Sequence, residues 1–366
     1  MSSTIDQAGQ VREGEELDIE SLDAWLKQQA GKDLEGTPRI TQYSGGASNW
    51  TYRLEYRNAD YILRRPPAGT KAESAHDMGR EYRIQRDLKP HFPHVPTMVC
   101  HCDDSSVIGA EFYVMERLQG IIPRKNLPDG VTLDRADCHA LCTNALDTLI
   151  ALHQVDYRDA GLEHIGKGAG YSKRQIDGWC RRYSKARTWN VPSGRRIMSW
   201  LQDNIPDRER LCITHNDYKF DNLVLAPDDP TRILGVLDWE LATIGDPLMD
   251  MGNMLALWVD ADDDFLARSA RMQPTHLPGM LTRSQVIDYY CEATGISSEN
   301  WAFYEVYGLF RLSAIGQQIY YRYHHKQTRN PAFRKIWIMV NYLHYRCRKI
   351  INKSHRVSVS QTSSNS

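Results

Sequence analysis

The spacing of two aspartates and an asparagine constrains this chain more than any other feature. Residues 215–222 read His215-Asn216-Asp217-Tyr218-Lys219-Phe220-Asp221-Asn222, and Asp238 follows sixteen residues after Asn222, within Leu237-Asp238-Trp239-Glu240. An Asp followed five residues later by an Asn sets a proton acceptor and an amide oxygen on one loop. Leu211-Cys212-Ile213-Thr214 leads into that loop as a short apolar run, and Leu223-Val224-Leu225 leaves it. Ala226-Pro227-Asp228-Asp229-Pro230 is a turn by composition, and Ile233-Leu234-Gly235-Val236-Leu237 returns as a buried strand ending at Asp238. The pattern predicts a β-hairpin whose two ends carry Asn222 and Asp238 side by side. Mg²⁺ takes oxygen ligands, typically one or two from protein and the rest from phosphate and water, and this pair fits that role. Asp217 is then placed to accept a proton from an attacking hydroxyl, or to orient it. His215 braces the loop.

The pattern H-x-D-x-x-x-x-N followed by an acidic metal-binding turn resembles that of protein-kinase-like phosphotransferases, which implies transfer of the γ-phosphate of ATP. Such transfer asks for neutralised charge and an in-line acceptor more than for covalent help. Downstream, Asp246 and Pro247 read as the cap and first position of a helix, and Asp250 as a structural brace for the loop. From Thr214 to Leu255 the chain resembles the aminoglycoside phosphotransferase and choline kinase superfamily. Asn216 replaces the catalytic-loop Arg of protein kinases, Asp238-Trp239-Glu240 replaces Asp-Phe-Gly, and no Ala-Pro-Glu segment follows. The fold implied is α+β and two-lobed, protein-kinase-like, with a small β-rich N-lobe and a large, mainly helical C-lobe.

An N-lobe is legible upstream. Ile40-Thr41-Gln42-Tyr43, Trp50-Thr51-Tyr52-Arg53-Leu54-Glu55-Tyr56 and Tyr61-Ile62-Leu63-Arg64 are strands by composition. Between the first two lies Ser44-Gly45-Gly46-Ala47-Ser48-Asn49. Gly45 and Gly46 let backbone amides approach a phosphate, while Ser48 and Asn49 add side-chain donors; a plain turn is the simpler alternative. Aligned on the third strand of protein kinases, Arg64 takes the place of the phosphate-binding Lys, on the same strand face as Ile62. Arg65 takes it if the register slips by one. Glu81, on a helix expected over 75–88, is the partner for Arg64. Glu111 to Leu118 resembles the strand and hinge between the lobes, where adenine would bond backbone groups from Glu116 to Leu118. Met115 is either a gatekeeper there or a core residue.

Across residues 38–345 the likeness narrows to one branch of the superfamily: the kinase-like domain fused in animals to acyl-CoA dehydrogenases, and its free-standing bacterial relatives. Leu63-Arg64-Arg65-Pro66-Pro67-Ala68-Gly69-Thr70, Asp103-Asp104-Ser105-Ser106-Val107-Ile108-Gly109, Phe112-Tyr113-Val114-Met115-Glu116-Arg117 and Trp239 to Leu248 carry that resemblance. It implies an ATP- and Mg²⁺-dependent enzyme that phosphorylates a small-molecule hydroxyl, that of a 4-hydroxyacyl-CoA. A fused dehydrogenase has no room in 366 residues, so a separate acyl-CoA dehydrogenase-like partner is expected.

Lys+Arg 45 against Asp+Glu 46 gives no bulk attraction to nucleic acid or membrane. No apolar run marks a signal or an anchor, and eight Cys without a C-x-x-C pattern read as reduced thiols, so a cytoplasmic location is expected. His91, His94, Cys100, His101 and Cys102 are close in sequence, but strand alternation separates Cys100 and Cys102 from His101, which argues against a zinc site. The expected organisation is a disordered N-terminus over 1–16, an N-lobe over 17–118, a C-lobe over 119–354 and a disordered tail over 355–366. Helices are expected over 133–154, 282–293, 299–325 and 333–351. The stretches 173–189 and 194–204 form an insertion, about 173–204, that shapes the acceptor site. Within it Arg174, Arg181 and Arg182 read first as a solvated helix face and second as a site for an anionic group such as a CoA phosphate. The basic insertion argues against cationic acceptors. An aminoglycoside, choline or sugar kinase and a catalytically inactive nucleotide-binding module stay as alternatives.

Overall fold

The computed structural model describes residues 5–31, 33–43, 49–67, 77–207 and 209–363, with side chains through Ser354. Residues 5–16, expected to be disordered, run along the edge of the first sheet instead. Gly9 and Gln42 exchange backbone hydrogen bonds of 2.8 and 3.0 Å, and Tyr52 Oη donates to Glu15 O at 2.7 Å. Pairing with an edge strand uses backbone groups, so a polar composition carries no sign of it.

Helix α1 (Ile19–Gln29) was not expected. It starts where the Asp18 side chain accepts the Ser21 amide, and it buries Leu22 and Leu26. Full burial contributes roughly 1.5–3 kcal/mol for each such Leu. Strands β1 (Arg39–Gln42), β2 (Trp50–Glu55) and β3 (Asp60–Arg65), helix α2 (Met78–Leu88), and strands β4 (Met98–Cys102) and β5 (Phe112–Glu116) complete the N-lobe. The strands form one antiparallel sheet in the order β1-β2-β3-β5-β4. Alternation divides its residues cleanly. Tyr52, Leu54, Leu63, Phe112 and Val114 pack with α1, while Ile62, Tyr113 and Met115 pack with Met78 of α2. Cys100 and Cys102 join the α1 side, and His101 Nε2 lies 2.8 Å from Glu111 Oε1. No group of three or more His, Cys, Asp or Glu side chains among the described residues is arranged to hold a metal ion.

The C-lobe comprises α3 (Arg135–Gln154), α4 (Tyr171–Ala186), α5 (Arg195–Asp203), β6 (Cys212–Thr214), β7 (Leu223–Leu225), β8 (Ile233–Val236), β9 (Thr243–Gly245) and α6 (Pro247–Ala256). It continues with α7 (Phe265–Ser269), α8 (Arg283–Thr294), α9 (Trp301–His324) and α10 (Ile336–Ser363). The backbone of α10 thus runs on as helix through positions expected to be disordered. Two short antiparallel pairs, β6–β9 and β7–β8, frame the motif loop. Helices α6 and α9 cross so closely that a Cβ at Gly308 would meet the Gly252 carbonyl. That contact pins α6, which carries Asp250, against α9, which carries Arg311. Among the described residues no helix is long and apolar enough to cross a membrane.

Candidate active site

The hairpin β7–β8 does what its sequence requires. Leu223 pairs with Val236, and the Leu237 amide donates to Asn222 O at 2.8 Å, so Asn222 and Asp238 emerge side by side. Asp238 has φ 69° and ψ 63°, and Asn216 has φ 63°. Left-handed backbone at a residue other than glycine costs free energy and persists where the surroundings over-determine it.

At Asn216 the surroundings are dense. Buried Asp250 accepts the His215 amide at 2.7 Å and the Asn216 amide at 2.8 Å, and His153 Nε2 lies 3.2 Å from the same carboxylate. Arg311 Nη2 donates to Asn216 O at 2.9 Å, and Tyr171 Oη to Asn216 Oδ1 at 3.1 Å. Burial pushes the Asp250 carboxyl up, but His153, His215 and the His215 amide outweigh it and leave its pKa below the usual range. Asp246 caps α6 by accepting the Leu248 and Met249 amides. His215 takes the Asp217 amide on Nδ1 (3.2 Å) and sets Nε2 against Leu237 O (2.9 Å), tying the loop to the end of the hairpin.

Asp217 is held through one oxygen. Its Oδ2 accepts from Lys219 Nζ at 2.7 Å and from Asn222 Nδ2 at 3.1 Å. The Asn222 amide nitrogen also reaches Asp217 O at 2.9 Å. That leaves Asp217 Oδ1 and Asn222 Oδ1 for other partners. Burial works against the charge on Lys219, yet Asp217, Asp221 and Asp238 raise its pKa above the ordinary value.

From the N-lobe, Arg64 spans two carboxylates: Nη1 meets Glu81 Oε1 at 2.5 Å and Nη2 meets Asp238 Oδ1 at 3.0 Å. Tyr113 Oη donates to Glu81 Oε1 at 2.7 Å. Burial pushes the Glu81 carboxyl up against the pull of Arg64. Burial also opposes ionisation of Asp238, but Arg64, His215 and Lys219 prevail and its pKa falls. Arg65 points to the other face of β3, where Nη1 donates to Ile108 O at 2.9 Å and the guanidinium lies 5.4 Å from the Trp50 ring centre.

Arg64, Asp217, Lys219, Asn222 and Asp238 line a cleft of about 390 Å³ between the lobes, together with Ile62, Met115, Glu116, Leu118, Val224 and Leu237. The Glu116 and Arg117 amides are spent on Thr97 O and Asp60 O. Asn49 Nδ2 bonds Glu240 Oε2 across the lobes at 3.4 Å. Gly45, Gly46 and Ser48 lie outside the described residues. The structure thus brings Asp217, Asn222, Asp238, Arg64, Glu116 and Leu118 to one cleft, with Glu81 behind Arg64.

Sequence reasoning missed several neighbours. Lys219, two residues past Asp217, was within the motif and is a signal that could have been used. Arg80 of α2 bonds the carbonyls of Glu240 (3.3 Å), Ala242 (2.5 Å) and Ile165 (3.4 Å) in the other lobe, and nothing local announces it. The same holds for Arg311.

The sequence model of the phosphotransferase enzyme family matches residues 39–280. The chain belongs to that family. Human acyl-CoA dehydrogenase family member 11 is 36% identical over 315 residues, a match covering 84% of this chain and 40% of that protein. The chain therefore spans about two-fifths of the length of the curated relatives it matches. A Ralstonia eutropha protein, provisionally described as an aminoglycoside phosphotransferase, superimposes with a TM-score of 0.76 at 30% identity, covering 91% of this chain and 99% of that one. An aminoglycoside phosphotransferase solved with AMP-PNP and hygromycin B shares the fold, with a TM-score of 0.54 at 15% identity over 91% of this chain and 98% of its own. As a family member the chain is a small-molecule phosphotransferase with a hydroxyl acceptor.

Proposed function

We propose that this phosphotransferase uses Mg-ATP to phosphorylate the hydroxyl of a hydroxyacyl-CoA, of the 4-hydroxyacyl-CoA type. The observation that carries the chemistry is the convergence of Asp217, Asn222, Asp238 and Arg64 on one cleft. The 36% identity to a protein named for acyl-CoA dehydrogenation supports the acceptor class, and the neighbour solved with AMP-PNP supports the nucleotide.

Asn222 Oδ1 and the Asp238 carboxylate are hard oxygen donors of the kind Mg²⁺ prefers, and they suit a cation that completes its shell with phosphate and water. ATP supplies the phosphoryl group and Mg²⁺ neutralises its charge. Arg64 offers a fork to phosphate oxygens while Glu81 fixes its position. Asn49, Gly45, Gly46 and Ser48 are the proposed phosphate donors, and Glu116 to Leu118 the proposed adenine edge. Asp217 Oδ1 holds the acceptor hydroxyl and takes its proton as the oxygen bonds to phosphorus and the bond to the leaving ADP breaks. Lys219 keeps Asp217 oriented and adds positive charge beside it. A dehydrogenase-type enzyme acting on the phosphorylated thioester is the proposed partner, and the cytoplasm the proposed location.

Turnover of Mg-ATP with 4-hydroxyvaleryl-CoA, its free acid, choline and kanamycin tests this reading, with Asp217→Ala as control. A phosphorylated product from the thioester alone is expected. Turnover with choline or kanamycin, and none with the thioester, would transfer the chain to the cationic acceptors of its fold neighbours.

A further inference from the structure

Helices α4 and α9 lie side by side beneath the motif loop and carry a pattern the phosphotransfer chemistry does not use. At one end Tyr171 bonds Asn216; at the other, Gln317 Nε2 of α9 donates to Ala186 O at 2.8 Å. Between them the Trp179 indole faces two guanidinium groups, Arg311 at 5.3 Å and Arg182 at 4.5 Å from the ring centre. Arg311 is 9% exposed, and no carboxylate among the described residues pairs with it. The nearby carboxylate of Asp250 is already taken by two backbone amides and His153. A guanidinium this buried without a counter-ion is costly, and this one touches the residue next to Asp217.

Beyond Arg182 the positive charge continues. Arg181, Lys185 and Arg187 are exposed, and residues 178–202 contain neither Asp nor Glu. From 306 to the C-terminus there is no Asp or Glu at all, in a chain whose net charge is −1. Trp179 to Arg187 is eight residues, roughly 12 Å of helix rise.

We propose that the strip along α4 and α9 binds an anionic acceptor, with its hydroxyl at Asp217, its body against Trp179 and Arg311, and its phosphates on Arg182 and Lys185. For the ligand class, a phosphate-bearing CoA thioester, the inference rests on the function proposed above. A pantetheine arm parts the reacting hydroxyl of such a thioester from its nucleotide phosphates, so the two ends of the ligand call for separate sites. Cation–π stacking on Trp179 holds Arg182 in place before the ligand arrives, so less side-chain freedom is lost on binding. A cationic acceptor is repelled where this strip carries Arg182 and Lys185.

The test measures binding, not turnover, on the full-length protein with Mg-AMP-PNP present. Calorimetric titrations compare CoA with pantetheine, which lacks the phosphates, for the wild type, Arg182→Gln, the Arg182→Gln/Lys185→Gln pair and Arg86→Gln. Arg86 is an N-lobe surface base paired with Asp87 and controls for net charge. CoA is expected to bind the wild type at least about tenfold more tightly than pantetheine, and Arg182→Gln to lose about tenfold in CoA affinity. Pantetheine and nucleotide binding should not change, and Arg86→Gln should match the wild type. Equal wild-type affinity for CoA and pantetheine overturns the strip, as does CoA affinity indifferent to the double substitution. If the hydroxyacyl thioester is still turned over in that case, the strip fails and the proposed function stands. Turnover of kanamycin or choline in place of the thioester removes both.

Discussion

Arg64 and Asp238, 174 positions apart in sequence, share a hydrogen bond of 3.0 Å across the two lobes. The same guanidinium holds Glu81 with its other arm. A planar fork with several donors can serve two carboxylates at once, whereas the ammonium of a lysine is a point charge on a flexible stem. Arg64→Lys should therefore fold but lose the simultaneous contact, raising the KM for Mg-ATP about tenfold. Arg64→Met should cost about 3–5 kcal/mol of stability, because it leaves Glu81 buried without its counter-charge. Urea unfolding and nucleotide titrations check the two effects separately, and a Lys variant with wild-type KM would remove Arg64 from phosphate binding.

Asp217→Ala should lower kcat by roughly a hundredfold to ten-thousandfold, the range for loss of a general base, while Mg-AMP-PNP still binds. Lys219→Ala should also reduce kcat, by a smaller factor, because Asn222 continues to hold Asp217 Oδ2 at 3.1 Å. Rapid-quench kinetics with saturating nucleotide separates the chemical step from binding. Unaltered turnover in Asp217→Ala would take that residue out of the mechanism.

Asp238→Ala should abolish metal-dependent turnover, and Asn222→Ala should raise the Mg²⁺ concentration needed for half-maximal rate about tenfold or more. Both are read from Mg²⁺ titrations at fixed ATP. A half-maximal Mg²⁺ concentration unchanged by Asn222→Ala would show that its amide oxygen is not a ligand.

Burial raises the Asp246 carboxyl to about 6, against the pull of the Met249 and Leu248 amides. Its folded pKa lies above the unfolded value of 3.8, so the folded state holds the proton longer than the unfolded one. The contribution of this group to stability therefore falls as pH rises from about 4 to 6, and the full cost remains above that. A displacement of this size corresponds to roughly 3 kcal/mol. Asp246→Asn keeps a good cap without the ionisation, so its stability relative to the wild type should grow across pH 4–6 and level off above. Thermal melts from pH 4 to 8 check this, and a gap that does not vary with pH would refute it.

Much of the site was legible because its parts are local. Asp217, Asn222 and Asp238 are joined by one loop and one hairpin, and the alternation of β3 puts Arg64 with Ile62 on the cleft side. The choice between Arg64 and Arg65 needed the actual pleat, which sends Arg65 to Ile108 O. Residues 5–16 escaped because backbone pairing with an edge strand has no hydropathy signature. Arg311 escaped because it lies 95 positions from Asn216. What joins them is the close crossing of α6 and α9 at Gly252 and Gly308, and two glycines in separate helices announce nothing when read in order.

The hold of Arg80 on the opposite lobe has a wider consequence. Helix α2 presents Glu81 to Arg64 and, one residue earlier, is fastened by Arg80 to the carbonyls of Glu240, Ala242 and Ile165. Swinging the helix outward to break the first contact would also forfeit the other three, each carbonyl then needing water in its place. Here the helix is riveted at adjacent positions, so any outward movement of α2 is charged twice, once at Glu81 and once at Arg80.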